Sequence, residues 1–388
     1  MNNIREMAHN LQAETIAFRR DLHKNPEPSM EEFRTTDKVA AALDAMGVSY
    51  RRLDPTGVIA EVKGTKSNSD KIVALRADMD ALSIQEKTDY EFKSINDGIM
   101  HACGHDTHTS MLLSAVKIAN SIKDQFSGTI RFIFQPGEEV AKGAKAVCAQ
   151  GGMDGVDAIF GIHAAVQTPV GKLLACYDPS HAATDRYSVV IKGKACHGAA
   201  PQTGMDATVC GAAMVMNLQT MVSREFSPMD PLVVTVGSFH SGSRFNIVSG
   251  EAVLEGTIRS FSREVHEQIP VVLKRICEET AKTFRCTAEV DYDAITEVLI
   301  NDKEMIDLGL EAAAKITDAE HIGLKAQAMG GEDFSEYTKY APAAFFSLGV
   351  GGQWPGHSDH YEADEDAFET GVAFYVQVAL DALEKLSK

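Results

Sequence analysis

The sequence predicts an α/β protein: a mostly parallel mixed sheet flanked by helices, interrupted by a smaller domain with a different strand order. Three observations carry this. Short β-branched apolar runs alternate with helix-patterned stretches from residue 57 to residue 165, as in successive βαβ units. From about residue 184 the order changes to strand, helix, strand, strand, helix, strand. At 388 residues the chain also exceeds one ordinary core, so two domains are expected.

Residues 12 to 47 open with a helical pattern (Ile16, Phe18, Leu22), break at Asn25-Pro26-Glu27-Pro28 and resume as MEEFRTTDKVAAALDAMG, because proline stops one helix before the next begins. GVIAEV and KIVALRADMDAL follow as strands; the second is almost continuously apolar, which suits burial on both faces, and should end near Asp78. Next comes HACGHDTH (101 to 108), with Gly104 easing a turn and Asp106 read as the N-cap of the helix THTSMLLSAVKIAN. TIRFIFQ is a strand that stops at Pro136-Gly137-Glu138-Glu139 and leads into the helix VAKGAKAVCAQGG. DAIFGIHAA is another strand, read as finishing at His163.

RYSVVIKGKA, PLVVTVGSF, EAVLEGTIRSF and CTAEVDYD then read as strands, with helices at MDATVCGAAMVMNLQTMV and SREVHEQIPVVLKRICEETAKTF. That βαββαβ order makes a ferredoxin-like unit, placed at residues 183–298 as an insertion. The helices EMIDLGLEAAAKI and AFETGVAFYVQVALDALEKL and the strand AAFFSLGVG return to the first architecture. The first domain is therefore drawn as 1–182 and 299–388. GGEDFS (330 to 335) reads as a glycine turn opening a helix, with Asp333 as its cap.

Composition narrows the class. With 37 Lys plus Arg against 55 Asp plus Glu, the net charge of -18 disfavours nucleic acid and anionic membrane as partners. The N-terminal stretch shows no apolar signal region and no run of 18 apolar residues occurs, so a cytoplasmic protein is expected. Seven cysteines without framework spacing suit a reducing compartment.

The chemistry lies at strand ends, where parallel sheets collect their ligands. Asp78, Glu138, Glu139 and His163 all fall there, and HACGHDTH adds Cys103 and His105, which on an extended or loop backbone leave the same face. Near the end GHSDHYEADE adds His357 and His360. Each has an ordinary structural explanation when taken singly; together, five such donors fill two metal ions sharing one ligand. Two neighbouring divalent cations acidify a water and polarise the carbonyl it attacks, which is amide hydrolysis. Such a site needs a carboxylate to take the proton. Glu138 and Glu139 are adjacent and splay, so one can bind metal while the other serves as base, and the residues alone leave open which does which.

RADMDAL, HACGHDTH, FQPGEEVAKGA, GIHAAVQTPVG, KGKACHGAAPQTGMDA, FNIVSGEAVLEGTIRSF, GGEDFS and GHSDHYEADE resemble, in order and over nearly the whole chain, the M20 metallopeptidase family, and within it the amidohydrolase branch of N-acyl-amino-acid, hippurate and auxin-conjugate hydrolases. The resemblance implies a zinc-exopeptidase-like catalytic domain. It makes Cys103, His105, Glu139, His163 and His357 the ligands of two divalent ions, with Cys103 bridging and zinc, manganese, nickel or cobalt all compatible. It makes Glu138 the general base and Asp78 a carboxylate that orients a ligand or the base. It further implies that the inserted domain dimerises, that His197 reaches the partner's site to stabilise the oxyanion, and that Asn246 and Arg259 lie near the substrate carboxylate. Read from the residues alone, His197 could equally be a turn residue and Arg259 a salt-bridged strand residue.

The chain departs from that pattern at Ser83, Val140, Val166 and Gln202. None removes a ligand, and all bear on the acyl group preferred. The expected activity is hydrolysis of N-acyl-amino acids by a cytoplasmic homodimer. A dipeptidase or carboxypeptidase of the same chemistry is the alternative, and a metal-binding regulator without turnover the more distant one.

Overall fold

The computed structural model describes residues 4–177 and 179–388. Along the chain come α1 (Ile4–Lys24), α2 (Phe33–Met46), β1 (Ser49–Arg52), β2 (Val58–Lys63), β3 (Ile72–Asp78), α3 (His105–Ser121), β4 (Thr129–Gln135), α4 (Gly143–Ala149), β5 (Ala158–Ala165) and β6 (Leu173–Ala175). Then follow β7 (Pro179–His181), β8 (Ala183–Lys192), β9 (Cys196–His197), α5 (Ala207–Leu218), β10 (Leu232–Ser241), β11 (Ile247–Val248), β12 (Glu251–Ser260), α6 (Arg263–Thr283), β13 (Thr287–Thr296) and β14 (Leu299–Ile300). The last elements are α7 (Lys303–Ala313), β15 (Ile322–Leu324), β16 (Ala343–Gly349) and α8 (Phe368–Leu386). They divide into two compact units: one runs to Ser180 and resumes over Ile300–Ala326 and Asp333–Lys388, the other comprises His181–Leu299 and Gln327–Glu332.

The first unit is built on an eight-stranded sheet of order β1-β2-β4-β3-β5-β16-β6-β15. Its centre, β4-β3-β5-β16, is parallel, with antiparallel pairs on either side. Central strands are covered on both faces, which is why TIRFIFQ and KIVALRAD are apolar almost throughout. Leu75, Phe132, Phe160 and Phe346 pack into one core with residues of α1, α3, α7 and α8. Their neighbours Ala74, Ile133, Ile159 and Phe345 are as deeply buried on the reverse face. The α/β architecture with a mostly parallel sheet is the one the sequence predicts.

Two local readings are corrected. Helix α3 begins at His105, and its N-cap is Gly104 in the left-handed region at φ 95°, where a glycine avoids the Cβ clash. Asp106 is thus not the cap; it lies inside the first turn, buried, 2.8 Å from Arg19 Nε and 2.8 Å from His23 Nδ1. Strand β5 continues two residues past His163, to Ala165, because β16 runs beside it as far as Gly349.

The second unit is a four-stranded antiparallel sheet of order β10-β12-β8-β13, the ferredoxin-like arrangement. Val189, Ile191, Leu254 and Ile258 pack against Met214, Leu218, Ile269 and Leu273 of α5 and α6. Both helices start at side-chain caps: Asp206 accepts from Thr208 and Val209, and Ser262 from Val265. Among the described residues no helix is long and apolar enough to cross a membrane.

Candidate metal centre

In the first unit the chain runs from β3 through α3 to β4 on one side and then back through α4 to β5 on the other, so β3 is the strand at which the winding changes direction. Such a point opens a crevice at the carboxyl ends of the strands. Cys103, His105, Glu138, Glu139, His163 and His357 gather there. The donor atoms of Cys103, His105 and His163 lie within 4.8 Å of one another, and so do those of Cys103, Glu139 and His357. Cys103 is common to both groups.

Each side chain is held by a specific contact. His105 is fully buried, and its Nδ1 is 3.0 Å from Asp80 Oδ1, which turns Nε2 toward the crevice, 3.9 Å from Glu138 Oε2 and 3.9 Å from Glu139 Oε1. His163 Nδ1 donates to the Ala164 carbonyl at 2.8 Å, leaving Nε2 3.3 Å from Cys103 Sγ. His357 Nε2 is 3.4 Å from Glu139 Oε1, and its backbone N–H donates to Ala102 at 2.8 Å. His357 itself sits at φ 62°, a conformation unusual for a non-glycine residue. The tight turn Pro136-Gly137 after β4 brings up both glutamates, whose backbone N–H groups donate to the Asp80 carboxylate at 3.1 and 3.0 Å.

Asp78 is buried beneath this layer. Its Oδ1 takes a 2.5 Å bond from His108 Nδ1, its Oδ2 a 2.6 Å bond from Arg76, and Oδ2 is 3.7 Å from His105 Nε2. Asp333 joins the same buried network: it accepts from Arg76 at 2.8 Å, from Gln135 at 2.9 Å and from the Ala144 N–H at 3.0 Å. It therefore serves the first turn of α4 and does not cap the segment it opens. Burial pushes its carboxyl up to about 6 against the pull of Arg76. His360 stays outside both donor groups, bonded to Asp359 at 2.7 Å and lying 5.0 Å from the Trp354 ring.

The donor set fits divalent cations. His105 Nε2 and Glu139 Oε1 are buried without hydrogen-bond partners, an arrangement that costs about 1–3 kcal/mol per group unless something else engages it. Burial, followed by Glu139, pushes the Cys103 thiol up. For His105, burial works against protonation, but Asp78, Cys103 and Asp80 together raise it. Asp78, Asp80, Glu138, Glu139 and the Cys103 sulfur are thus brought together here, with Arg76 paired to Asp78. A pair of divalent cations balances that charge, and the two groups sharing Cys103 suit two ions.

Asp80 is a residue that sequence reasoning missed. It clamps His105 and the backbone of both glutamates at once, and the one available signal was its alternation with Asp78 in RADMDAL, carried past the strand end.

In the second unit, β9 and β11 form a two-rung ribbon with His197 opposite Ile247. His197 is exposed, and its Nδ1 accepts the Ala199 N–H at 3.1 Å, so the proton sits on Nε2 and is available to an acceptor. Asn246 is next to it: its carbonyl takes the Gly198 N–H at 2.8 Å. Arg259 lies elsewhere, on β12 opposite Thr184 and Val233, half-buried and donating to the Ile258 carbonyl at 3.0 Å.

Comparison with known proteins agrees with this geometry. The model of the peptidase family M20/M25/M40 matches residues 74–381. An N-acetylcysteine deacetylase of Bacillus subtilis (strain 168) is 35% identical over 374 residues, 96% of this chain and 97% of the relative. An N-acyl-L-amino acid amidohydrolase of Geobacillus stearothermophilus is 39% identical over 303 residues, 78% of this chain and 81% of the relative. The crystal structure of a dinuclear metal-binding M20 peptidase from Bacillus subtilis superposes with a TM-score of 0.86 at 33% identity, covering 97% of this chain and 99% of that one.

Proposed function

This chain belongs to the peptidase family M20/M25/M40 and is an enzyme acting on amide bonds, and from that premise we propose that its substrates are N-acyl-amino acids. Two divalent ions are held by Cys103, His105, Glu139, His163 and His357, with Glu138 as general base. The observation that carries the reading is the pair of three-residue donor groups sharing Cys103, with Glu138 beside them at 3.9 Å from His105. When bound, the cations lower the pKa of water and polarise the amide carbonyl. Glu138 takes the proton of the attacking water and returns it to the leaving amine. Asp80 keeps His105 and both glutamates in register, and Asp78 anchors the layer beneath.

His197 supplies its Nε2 proton to the oxyanion from a partner subunit, so the active form is a homodimer joined through the domain at 183–298. Asn246 and Arg259 hold the substrate carboxylate. A thiolate ligand favours zinc while tolerating manganese, nickel or cobalt. We place the protein in the cytoplasm, a reading supported by its seven free cysteines. Support for the acyl-amino-acid class comes from the activities named for the two relatives.

The test is turnover by metal-reconstituted protein on N-acetyl-, N-benzoyl- and longer N-acyl-amino acids beside dipeptides, with Glu138→Ala as control. Cleavage of the acyl-amino acids that Glu138→Ala loses supports the reading. Equal rates in both proteins sink the mechanism, and cleavage of dipeptides alone sinks the substrate class.

A further inference from the structure

HACGHDTH carries three histidines, and the reaction as described uses only His105. His108, the last of them, has a place in the fold that assigns it a task. The rungs between β3 and β5 end at Arg76 and Gly161. Beyond that point β3 continues against β4 to Asp78 opposite Gln135, and β5 continues against β16 to Ala165 opposite Gly349. The two central strands therefore part where the crevice begins, and the last residues of β5 lose a strand neighbour on that side.

His108 fills the gap. The Ala164 N–H donates to His108 Nε2 at 2.7 Å. A ring nitrogen that accepts a hydrogen bond is unprotonated, so the proton is on Nδ1, which donates to Asp78 Oδ1 at 2.5 Å. Asp78 is in turn pinned by Arg76, and Arg76 by Gln135 and Asp333. The ring is thus fixed in one tautomer and one orientation from its Nδ1 side, and its Nε2 side holds Ala164. The Ala164 carbonyl is the acceptor that orients His163. The His163 ring also packs edge-on against the His108 ring, 4.8 Å between centroids at 62°.

We infer that His108 is a positioning residue of the centre: it takes the place of the missing β3 rung at Ala164 and thereby holds His163 with Nε2 facing Cys103. The inference rests on the proposed role of His163 as a ligand. Other partners of metal-binding histidines act on the ring itself; here the control passes through the backbone of the following residue.

Two substitutions separate the contacts. His108→Asn keeps a donor near the Nδ1 position for Asp78 and removes the acceptor for Ala164. His108→Gln reaches the Nε2 position with a carbonyl acceptor and gives up the bond to Asp78. Titrating metal-free protein with cobalt(II), followed by its visible and thiolate charge-transfer absorption, should show His108→Asn binding one of two equivalents about 10–100-fold more weakly, with an altered charge-transfer band. His108→Gln should stay within about threefold of wild type on the same scale. Wild-type binding and spectrum in His108→Asn overturn the inference, and so does equal damage in both variants, which would show that keeping the Ala164 contact does not protect the site. Histidine 15N NMR of the wild-type protein gives a readout independent of any variant's folding: His108 should carry its proton on Nδ1, and an Nε2–H tautomer overturns the inference. Failure of wild-type protein to bind cobalt at all is a separate result, and it would bring down the metal centre itself.

Discussion

The first unit leaves a ring nitrogen of His105 open at its crevice, whereas the second unit engages both ring nitrogens of the buried His266 with carboxylates. In the second unit His266 Nε2 is 2.7 Å from Asp185 and its Nδ1 3.3 Å from Glu297. Burial opposes its charge, yet the two carboxylates raise its pKa to about 9. Both ring nitrogens are engaged, and the cluster ties the first turn of α6 to β8 and to the chain just past β13. At the crevice His105 Nε2 and Glu139 Oε1 have no such partner. Identical residue types therefore read as a structural tie in one place and as a binding centre in the other, and what separates the two histidines is whether both ring nitrogens are engaged within the fold.

That contrast can be broken by substitution. Glu138→Gln should lower kcat by about 10²–10⁴-fold while leaving the chemical-denaturation midpoint of the metal-free protein unchanged or higher; a loss of stability without a loss of rate would invert the comparison. His266→Gln should do the opposite. The folded pKa of His266 lies above its ordinary 6.5, so its contribution is fully present below about pH 6.5 and is lost as pH rises through about 9. Urea unfolding at pH 6 and pH 10 should show wild type losing about 3 kcal/mol more than His266→Gln over that interval, with turnover at pH 7 little affected.

Next in size, Asp80→Ala should weaken metal binding by about 10–100-fold in a zinc competition titration, because one carboxylate holds His105 and two backbone N–H groups. An unchanged affinity would return Asp80 to the ordinary architecture. Smallest is Lys192→Ala, which removes an exposed 2.6 Å pair with Glu251; unfolding should move by less than about 1 kcal/mol and turnover not at all.

The parts of the fold legible in the sequence are those where a local pattern and the tertiary environment agree. TIRFIFQ marks β4 to the residue because a central strand is covered on both sides. β1 is solvated along most of its length, and β6 and β15 are three residues each, so none has an apolar run to announce it. Asp106 was legible as a helix cap on local grounds, but Gly104 in the left-handed region moved the start back two residues, and Arg19 and His23, far off in sequence, claimed the carboxylate. Asp333 did cap a helix turn, only that of α4, some 190 residues earlier in the chain. At the crevice, the gathering of Cys103, His105, Glu138, Glu139, His163 and His357 could be guessed from their shared position at strand ends. The parts of Asp80 and His108 were harder to read, because each acts in part through backbone N–H groups that carry no side-chain signature.

Having one sulfur common to both donor groups would make the proposed pair of cations vulnerable at a single atom. Burial favours the thiol form of Cys103, the form that reacts slowly with peroxides; a bound cation would turn it into a thiolate. If two cations are held as proposed, a sulfinic acid formed there would take a donor from both groups in one irreversible event, so such a centre would depend on well-reduced surroundings.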